Sequence, residues 1–243
     1  MSESPAGNRR AAMQQEKERQ QRQQKIGSRV LVGVTIAAVL AVVGLIVWVA
    51  LSASGSRPVG GPAGEQQAAG PILVGTVDAP VTIAIHQDYS CPPCGIFETT
   101  NTDVLVDAVL AGVARVELHT MSFLDGPDRW STRAANAVHE VAAGSPEHVL
   151  VFNAALFAHQ DSQLSDADLA EVAQLVGVPA SVAELFRLGR FETAVEQITE
   201  ASSKAGVSRT PTVFLNGMQY LGAIDDPDEF AAAINTAAGS SQS

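Results

Sequence analysis

Cysteine is almost missing from this chain: of 243 residues, only Cys91 and Cys94 carry a thiol. That excludes a framework of several disulfides. Two thiols without a second pair or a clustered histidine also supply only half of the four ligands a zinc site needs. Basic side chains are scarce as well. Lys and Arg number 15 against 26 Asp and Glu, and the deficit deepens along the chain: residues 1–29 hold seven against three, residues 52–243 eight against 23. So acidic a segment lacks the basic footprint that nucleic-acid phosphates require. There is no glycine-rich phosphate loop or Walker-type motif, and no nucleophile-elbow motif frames a serine. Aromatic residues make up only 5%, while Ala, Val and Leu abound, which points to a helix-rich α/β domain. The composition, 46% hydrophobic and 17% charged, allows one ordinary domain with a sizeable core plus appendages.

A second absence is local. Val30 to Leu51 is 22 residues without a charge. A helix of that length is about 33 Å long, slightly more than the ~30 Å hydrocarbon core of a bilayer. It is apolar on every face, with Trp48 near the end where an interfacial aromatic belongs. The sequence therefore predicts a single transmembrane helix over residues 30–51. Arg22, Lys25 and Arg29 precede it and only Arg57 follows closely, so the positive-inside rule puts residues 1–29, a polar flexible tail, in the cytoplasm. Everything after Leu51 then lies outside. A cleavable signal peptide is the alternative, since Ser52–Ala53–Ser54 offers small residues to a peptidase, but the apolar run exceeds the usual signal core. Residues 52–70, rich in Gly, Ala, Ser and Pro, read as a flexible linker reaching roughly 25 Å. An exported compartment is oxidising, so a disulfide persists there.

The two cysteines sit at a junction. Val81 to His86 is a Val/Ile-rich run expected to form a strand buried on both faces. Asp88, Tyr89 and Ser90 break it. Helical spacing follows from Cys94 through Ile96, Phe97, Val104, Leu105, Ala108 and Val109, and Val113 to Phe123 reads as another strand. Residues three apart at a helix start lie about 5–6 Å from one another, within the reach of a disulfide. Such a bridge closes a four-residue loop worth roughly 2 kcal/mol, against ~3 for a 15-residue loop. It is a poor staple but one that opens and closes readily. The free N–H groups and positive dipole end of the helix favour a thiolate at Cys91, the expected nucleophile, with Cys94 as the resolving thiol. Pro92 and Pro93 preset helical backbone but withhold two donors, leaving those of Cys94 and Gly95. The alternatives are a structural bridge and half of a metal site. Asp88 either caps the turn or moves a proton, with capping favoured. His86 reads as a strand residue with a satisfied hydrogen bond, and Tyr89 as a residue lining the site.

Residues 125–206 form a helical insertion, with helices expected over 129–143, 146–159, 166–175 and 181–205. Ser165–Asp166–Ala167–Asp168 is a start signal, and Gly144, Gly177 and Gly206 are stops. Trp130, Phe152, Leu156, Phe157, Leu185 and Phe186 read as its core. His139, His148 and His159 are scattered and read as structural. Short strands over 212–215 and 218–221 meet at Asn216–Gly217, a two-residue turn of type I′ preference. Pro211 stands just before a strand. Asp225–Asp226–Pro227 opens a last helix through Phe230, Ala233 and Ile234, and residues 239–243 read as a tail.

Strand, CPPC, helix, strand, helical insertion, Thr–Pro, hairpin and helix, in this order over residues 71–238, resemble the thioredoxin superfamily and more closely its DsbA-like branch. Three segments carry the likeness: Asp88 to Cys94, Gly206 to Thr212, and Asn216–Gly217. The resemblance implies a thioredoxin-like fold with an inserted helical subdomain and a redox-active Cys91–Cys94 disulfide. It also implies a cis Pro211 facing that pair, with the Thr210 backbone binding an incoming peptide. No cofactor or metal is implied. Cysteine-containing exported proteins would be the substrates, and a quinone-linked membrane protein of the DsbB or VKOR kind would re-oxidise the pair. Where many relatives carry Gly this chain has Arg209, a candidate for tuning substrate charge or for lending a cation to the thiolate. Ile85 occupies the depth at which relatives carry a buried acid. The resulting expectation is a membrane-tethered extracytoplasmic thiol–disulfide oxidoreductase that forms disulfides. Its rivals are a reductase or isomerase of the same fold and a non-catalytic binding module.

Overall fold

The computed structural model describes residues 70–160 and 164–240. The expected transmembrane helix, tail and linker over residues 1–69 lie outside the described residues. Among those described, no helix is long and apolar enough to cross a membrane.

Five strands form one sheet in the order β1–β3–β2–β4–β5: β1 Ile72–Val74, β2 Val81–Asp88, β3 Ala114–Met121, β4 Thr212–Leu215 and β5 Met218–Gln219. β2 and β3 run parallel, in register from Val81↔Ala114 to Asp88↔Met121, joined by helix α1, Pro92–Leu110. β4 pairs antiparallel with the other side of β2, from Ile83↔Leu215 to His86↔Thr212. β2 is therefore the central strand, and Val81, Ile83 and Ile85 are fully buried, as its continuous apolar run requires.

β2 runs two residues further than its composition suggests, through Gln87 and Asp88. The reason lies in where those polar side chains go. Successive strand residues face opposite sides of a sheet. Gln87 meets Asn153 on one side at 2.7 Å, and Asp88 accepts from Ser131 at 2.6 Å. With partners available inside, polarity does not end the strand.

The insertion supplies α2 Trp130–Gly144, α3 Val149–Ala158, α4 Asp166–Leu175, α5 Ala180–Ala183 and α6 Glu192–Lys204. α4 has the expected bounds and its start is a capping box of Ser165 with Asp168. Gly177 and Gly206, both at positive φ, follow the ends of α4 and α6. The single helix expected over 181–205 is instead α5, a 3-10 turn at Phe186–Leu188, and α6. Gly189 breaks it, at φ 61°. The chain turns there so that Arg190 pairs with the buried Glu140 and the Phe191 N–H reaches Asn136 Oδ1 at 2.9 Å. Of the expected core set, Leu185 is half-buried and the rest are buried.

Asn216 (φ 48°) and Gly217 (φ 80°) both take left-handed backbone, as a type I′ turn demands. The last helix, α7, spans Pro227–Ser240 and is capped by Asp226, whose Oδ1 accepts from the N–H groups of Asp228 and Glu229. It continues two residues beyond the expected boundary at Ala238, so Gly239 and Ser240 are helical rather than tail.

Candidate active site

The site forms where the C-terminal end of β2, the N-terminus of α1 and the loop before β4 converge. Cys91 is the N-cap of α1 in extended conformation (φ −89°, ψ 110°), with Pro92 and Pro93 as the first helical residues. Both prolines are exposed, whereas Cys91 is 4% and Cys94 1% exposed. Both cysteines are free thiols. The Thr210–Pro211 peptide is cis, as the resemblance implies. Thr210 closes the site from the far side: its carbonyl accepts from Cys91 Sγ at 3.2 Å. Residues 119 positions apart in sequence thus meet at one sulfur.

The two thiols are electrostatically unequal. Cys91 is lowered to about 6, chiefly by a hydrogen bond from the Cys94 thiol. Burial opposes this; the Thr210 side chain and the Cys94 backbone N–H assist it. The Gly95 N–H, expected as a second donor to the sulfur, goes instead to the Cys91 carbonyl at 3.3 Å. Thr210 presents groups of opposite preference, since its carbonyl favours the protonated thiol and its side chain the thiolate. Cys94 is pushed far up by burial and by its role as donor to Cys91. A pair split this way has one anion-bearing sulfur beside Thr210 and one proton-bearing sulfur beneath it.

Asp88 is a cap. It is fully buried; Oδ1 accepts from the Ser90 N–H at 2.8 Å and Ser131 Oγ at 2.6 Å, and Oδ2 from the Leu124 N–H at 2.9 Å. Burial raises its pKa against those three hydrogen bonds, and its charge raises Cys91. Tyr89 lies under the site rather than lining it, fully buried with its hydroxyl donating to Asn153 Oδ1 at 2.6 Å. His86 is satisfied by Ser202 Oγ at 3.0 Å and stacks on His119. Arg209 is exposed, in no ion pair among the described residues, and its carbonyl accepts from Thr212 Oγ1 at 2.8 Å. His139 meets Thr120 Oγ1 at 3.1 Å and His148 meets Ser145 Oγ at 2.7 Å. Among the described residues, no group of three or more His, Cys, Asp or Glu could hold a metal ion.

Two residues escaped the sequence reading. Glu98, one turn below Cys94 on α1, is 1% exposed, and its Oε2 has no hydrogen-bond partner among the described residues. Burial raises it to about 7. Cys94, Phe97, Glu98, Asn101 and Leu105 form the buried stripe of α1, while Ile96 is exposed. That three- and four-residue spacing was visible, but two of its members are polar. Gln160 donates through Nε2 to the Cys91 carbonyl at 2.7 Å and the Tyr89 carbonyl at 2.9 Å. Nothing in its sequence context signals this.

A family model described as Thioredoxin matches residues 67–236. Among curated proteins, the chain is 31% identical over 176 residues to the serine/threonine-protein kinase PknE of Mycobacterium tuberculosis, covering 67% of this chain and 31% of PknE. The chain thus spans about a third of the length of that relative. Among solved structures, oxidised DsbA of Mycobacterium tuberculosis has a TM-score of 0.60 at 26% identity, covering 70% of this chain and 93% of that one. MdbA, a thiol-disulfide oxidoreductase from Corynebacterium diphtheriae, has a TM-score of 0.58 at 25% identity, covering 75% and 96%. With the fold and the paired thiols, these matches establish that the chain belongs to the thioredoxin family, in its DsbA-like branch.

Proposed function

We propose that this protein introduces disulfides into cysteine-containing exported proteins through Cys91 and Cys94, outside a membrane that its residues 30–51 span. The observation that carries the reading is the asymmetry of the pair: Cys91, lowered to about 6, faces Thr210, while Cys94 is buried behind it and raised.

In the disulfide form, a substrate thiolate attacks Cys91 Sγ, the Cys91–Cys94 bond breaks, and Cys94 leaves as a thiolate that takes up a proton. The second substrate thiolate then attacks the substrate sulfur of the mixed disulfide. The substrate disulfide forms and Cys91 departs as the thiolate its surroundings favour. The substrate loses two electrons and two protons; the enzyme pair gains the electrons. Glu98, within one helical turn of Cys94 and titrating near 7, is suited to exchange the Cys94 proton inside the protein. The Thr210 carbonyl, relieved of the Cys91 thiol once the sulfur is bonded, is free to accept a substrate backbone N–H. Pro211 forms the same wall, Pro92 and Pro93 hold the helix start, and exposed Arg209 sets charge at the rim. Thiols return to the disulfide by exchange with a quinone-linked membrane protein of the DsbB or VKOR kind. No cofactor enters this chemistry.

A Cys91 lowered to about 6 lies between thioredoxin (~7, about −270 mV) and DsbA (~3.5, about −120 mV), nearer the former. The direction of exchange therefore depends on the partner as well as on the pair, and a reductase of the same fold is the second reading. Oxidation of reduced ribonuclease and reduction of insulin separate the two. The proposal expects the first reaction to dominate and to vanish in Cys91→Ser and Cys94→Ser. Insulin reduction alone would assign a reductase, and indifference of both assays to both substitutions would sink the enzyme reading.

A further inference from the structure

Glycine inside a helix is disfavoured relative to alanine unless something needs its missing side chain. Gly95 is buried inside α1, directly after Cys94, and it is not at a positive φ that would require glycine. What needs the space is Gln160: a Cβ added at Gly95 would lie 2.7 Å from Gln160 Oε1 and 3.5 Å from its Cδ. The amide seated in that space spends both Nε2 hydrogens on the turn carrying the nucleophile, at the Cys91 carbonyl (2.7 Å) and the Tyr89 carbonyl (2.9 Å).

The two bonds differ in what they do. The Tyr89 carbonyl also accepts from Trp130 Nε1 at 3.1 Å, so the turn is already tied to the insertion without Gln160. At the Cys91 carbonyl, the other donors are the helix's own Cys94 and Gly95 N–H groups at 3.0 and 3.3 Å. Among the described residues, Gln160 is thus the hydrogen-bonding contact through which the insertion holds the carbonyl of the residue bearing the exchanging sulfur. That carbonyl is bonded to the same Cα as the Cys91 side chain, so its placement sets where Sγ sits against Thr210.

We propose that Gln160 is a positioning residue for Cys91, and that Gly95 exists to admit it. Its amide pins the Cys91 carbonyl, keeping the sulfur in register with the Cys94 donors and with Thr210. The inference rests on Cys91 being the exchanging thiol, but its first readout is titration rather than turnover.

The test uses the full chain with Gln160→Ala, Gln160→Met, Gly95→Ala and the Gly95→Ala/Gln160→Ala double variant. Cys91 is titrated through thiolate absorbance and alkylation, alongside ribonuclease oxidation and thermal unfolding. Each single substitution should raise the Cys91 pKa by roughly half a unit to one unit, as a misaligned donor stabilises the thiolate less. Each should lower kcat/KM by about 3- to 10-fold, because small displacements of a reacting group are costly. The double variant should be no worse than either single one, since both remove the same contact. Gln160→Met fills the space without donors and should behave like Gln160→Ala; wild-type titration in it would show that bulk alone suffices and overturn the proposal. Unchanged titration in Gln160→Ala, or additive effects in the double variant, would overturn it as well. If oxidation proves independent of the cysteines while the titrations shift as stated, the proposed activity fails and the positioning of Cys91 stands.

Discussion

The largest cause of the low Cys91 pKa is the hydrogen bond from Cys94, so Cys94→Ala is the sharpest perturbation of the site. A hydrogen bond to a charged group contributes about 1.5–3 kcal/mol, or roughly 1–2 pKa units. The Cys91 midpoint should therefore rise from about 6 to about 7–8 in the alanine variant. Cys94→Ser keeps a donor at the same place and should stay within about half a unit of wild type. A single-pH alkylation rate would conceal the change. At pH 7 the thiolate fraction would fall by about 2- to 10-fold, but nucleophilicity rises with pKa by about 3- to 8-fold for a Brønsted slope near 0.4–0.5. The two effects nearly cancel, so the full pH profile must be recorded, by thiolate absorbance and by iodoacetamide trapping. An alanine variant that still titrates near 6 would refute the assignment of the Cys94 thiol as the main stabiliser and shift that role to the helix terminus.

Asp88→Ala leaves the Ser90 and Leu124 N–H groups without their acceptor and should cost about 2–4 kcal/mol in urea denaturation. Asp88→Asn removes a charge that raises Cys91, so the Cys91 midpoint should drop below that of wild type; a rise would contradict the placement of that charge. Glu98→Gln tests the buried carboxyl. Below its ordinary value of 4.5 both folded and unfolded chains hold the proton, and the variant should match wild type. Between 4.5 and about 7 only the native state keeps it, so wild-type stability declines with rising pH relative to the variant, by up to about 3 kcal/mol at pH 8. His86, His119 and His139, each lowered to about 4 by burial, titrate in both proteins and cancel in the difference. Equal stability at pH 8 would place Glu98 in a wetter environment than its 1% exposure implies.

Elements with local signals were legible. The Val/Ile run of β2, the capping box at Ser165, the left-handed glycines after α4 and α6 and the Asn216–Gly217 turn each rest on a few adjacent residues. The paired thiols and the Thr210–Pro211 wall were legible as motifs, and the fold brings them to 3.2 Å. What stayed hidden depends on distant partners. Gln87 and Asp88 extend β2 because Asn153 and Ser131 await them. The break at Gly189 follows from the pull of Glu140 and Asn136 on the next two residues. Gln160 reaches back 69 positions to Cys91, a contact no spacing rule anticipates.

In the proposed chemistry Cys91 exchanges with substrate and Cys94 resolves. Trapping tests it most directly: a purified Cys94→Ser chain is mixed with a cysteine-containing protein carrying an activated disulfide, and the adduct is mapped by mass spectrometry after non-reducing separation. A stable mixed disulfide should form at Cys91 in Cys94→Ser, and little or none at Cys94 in Cys91→Ser, where the remaining thiol is buried and its pKa raised. An adduct forming readily at Cys94, or none at Cys91, would contradict it.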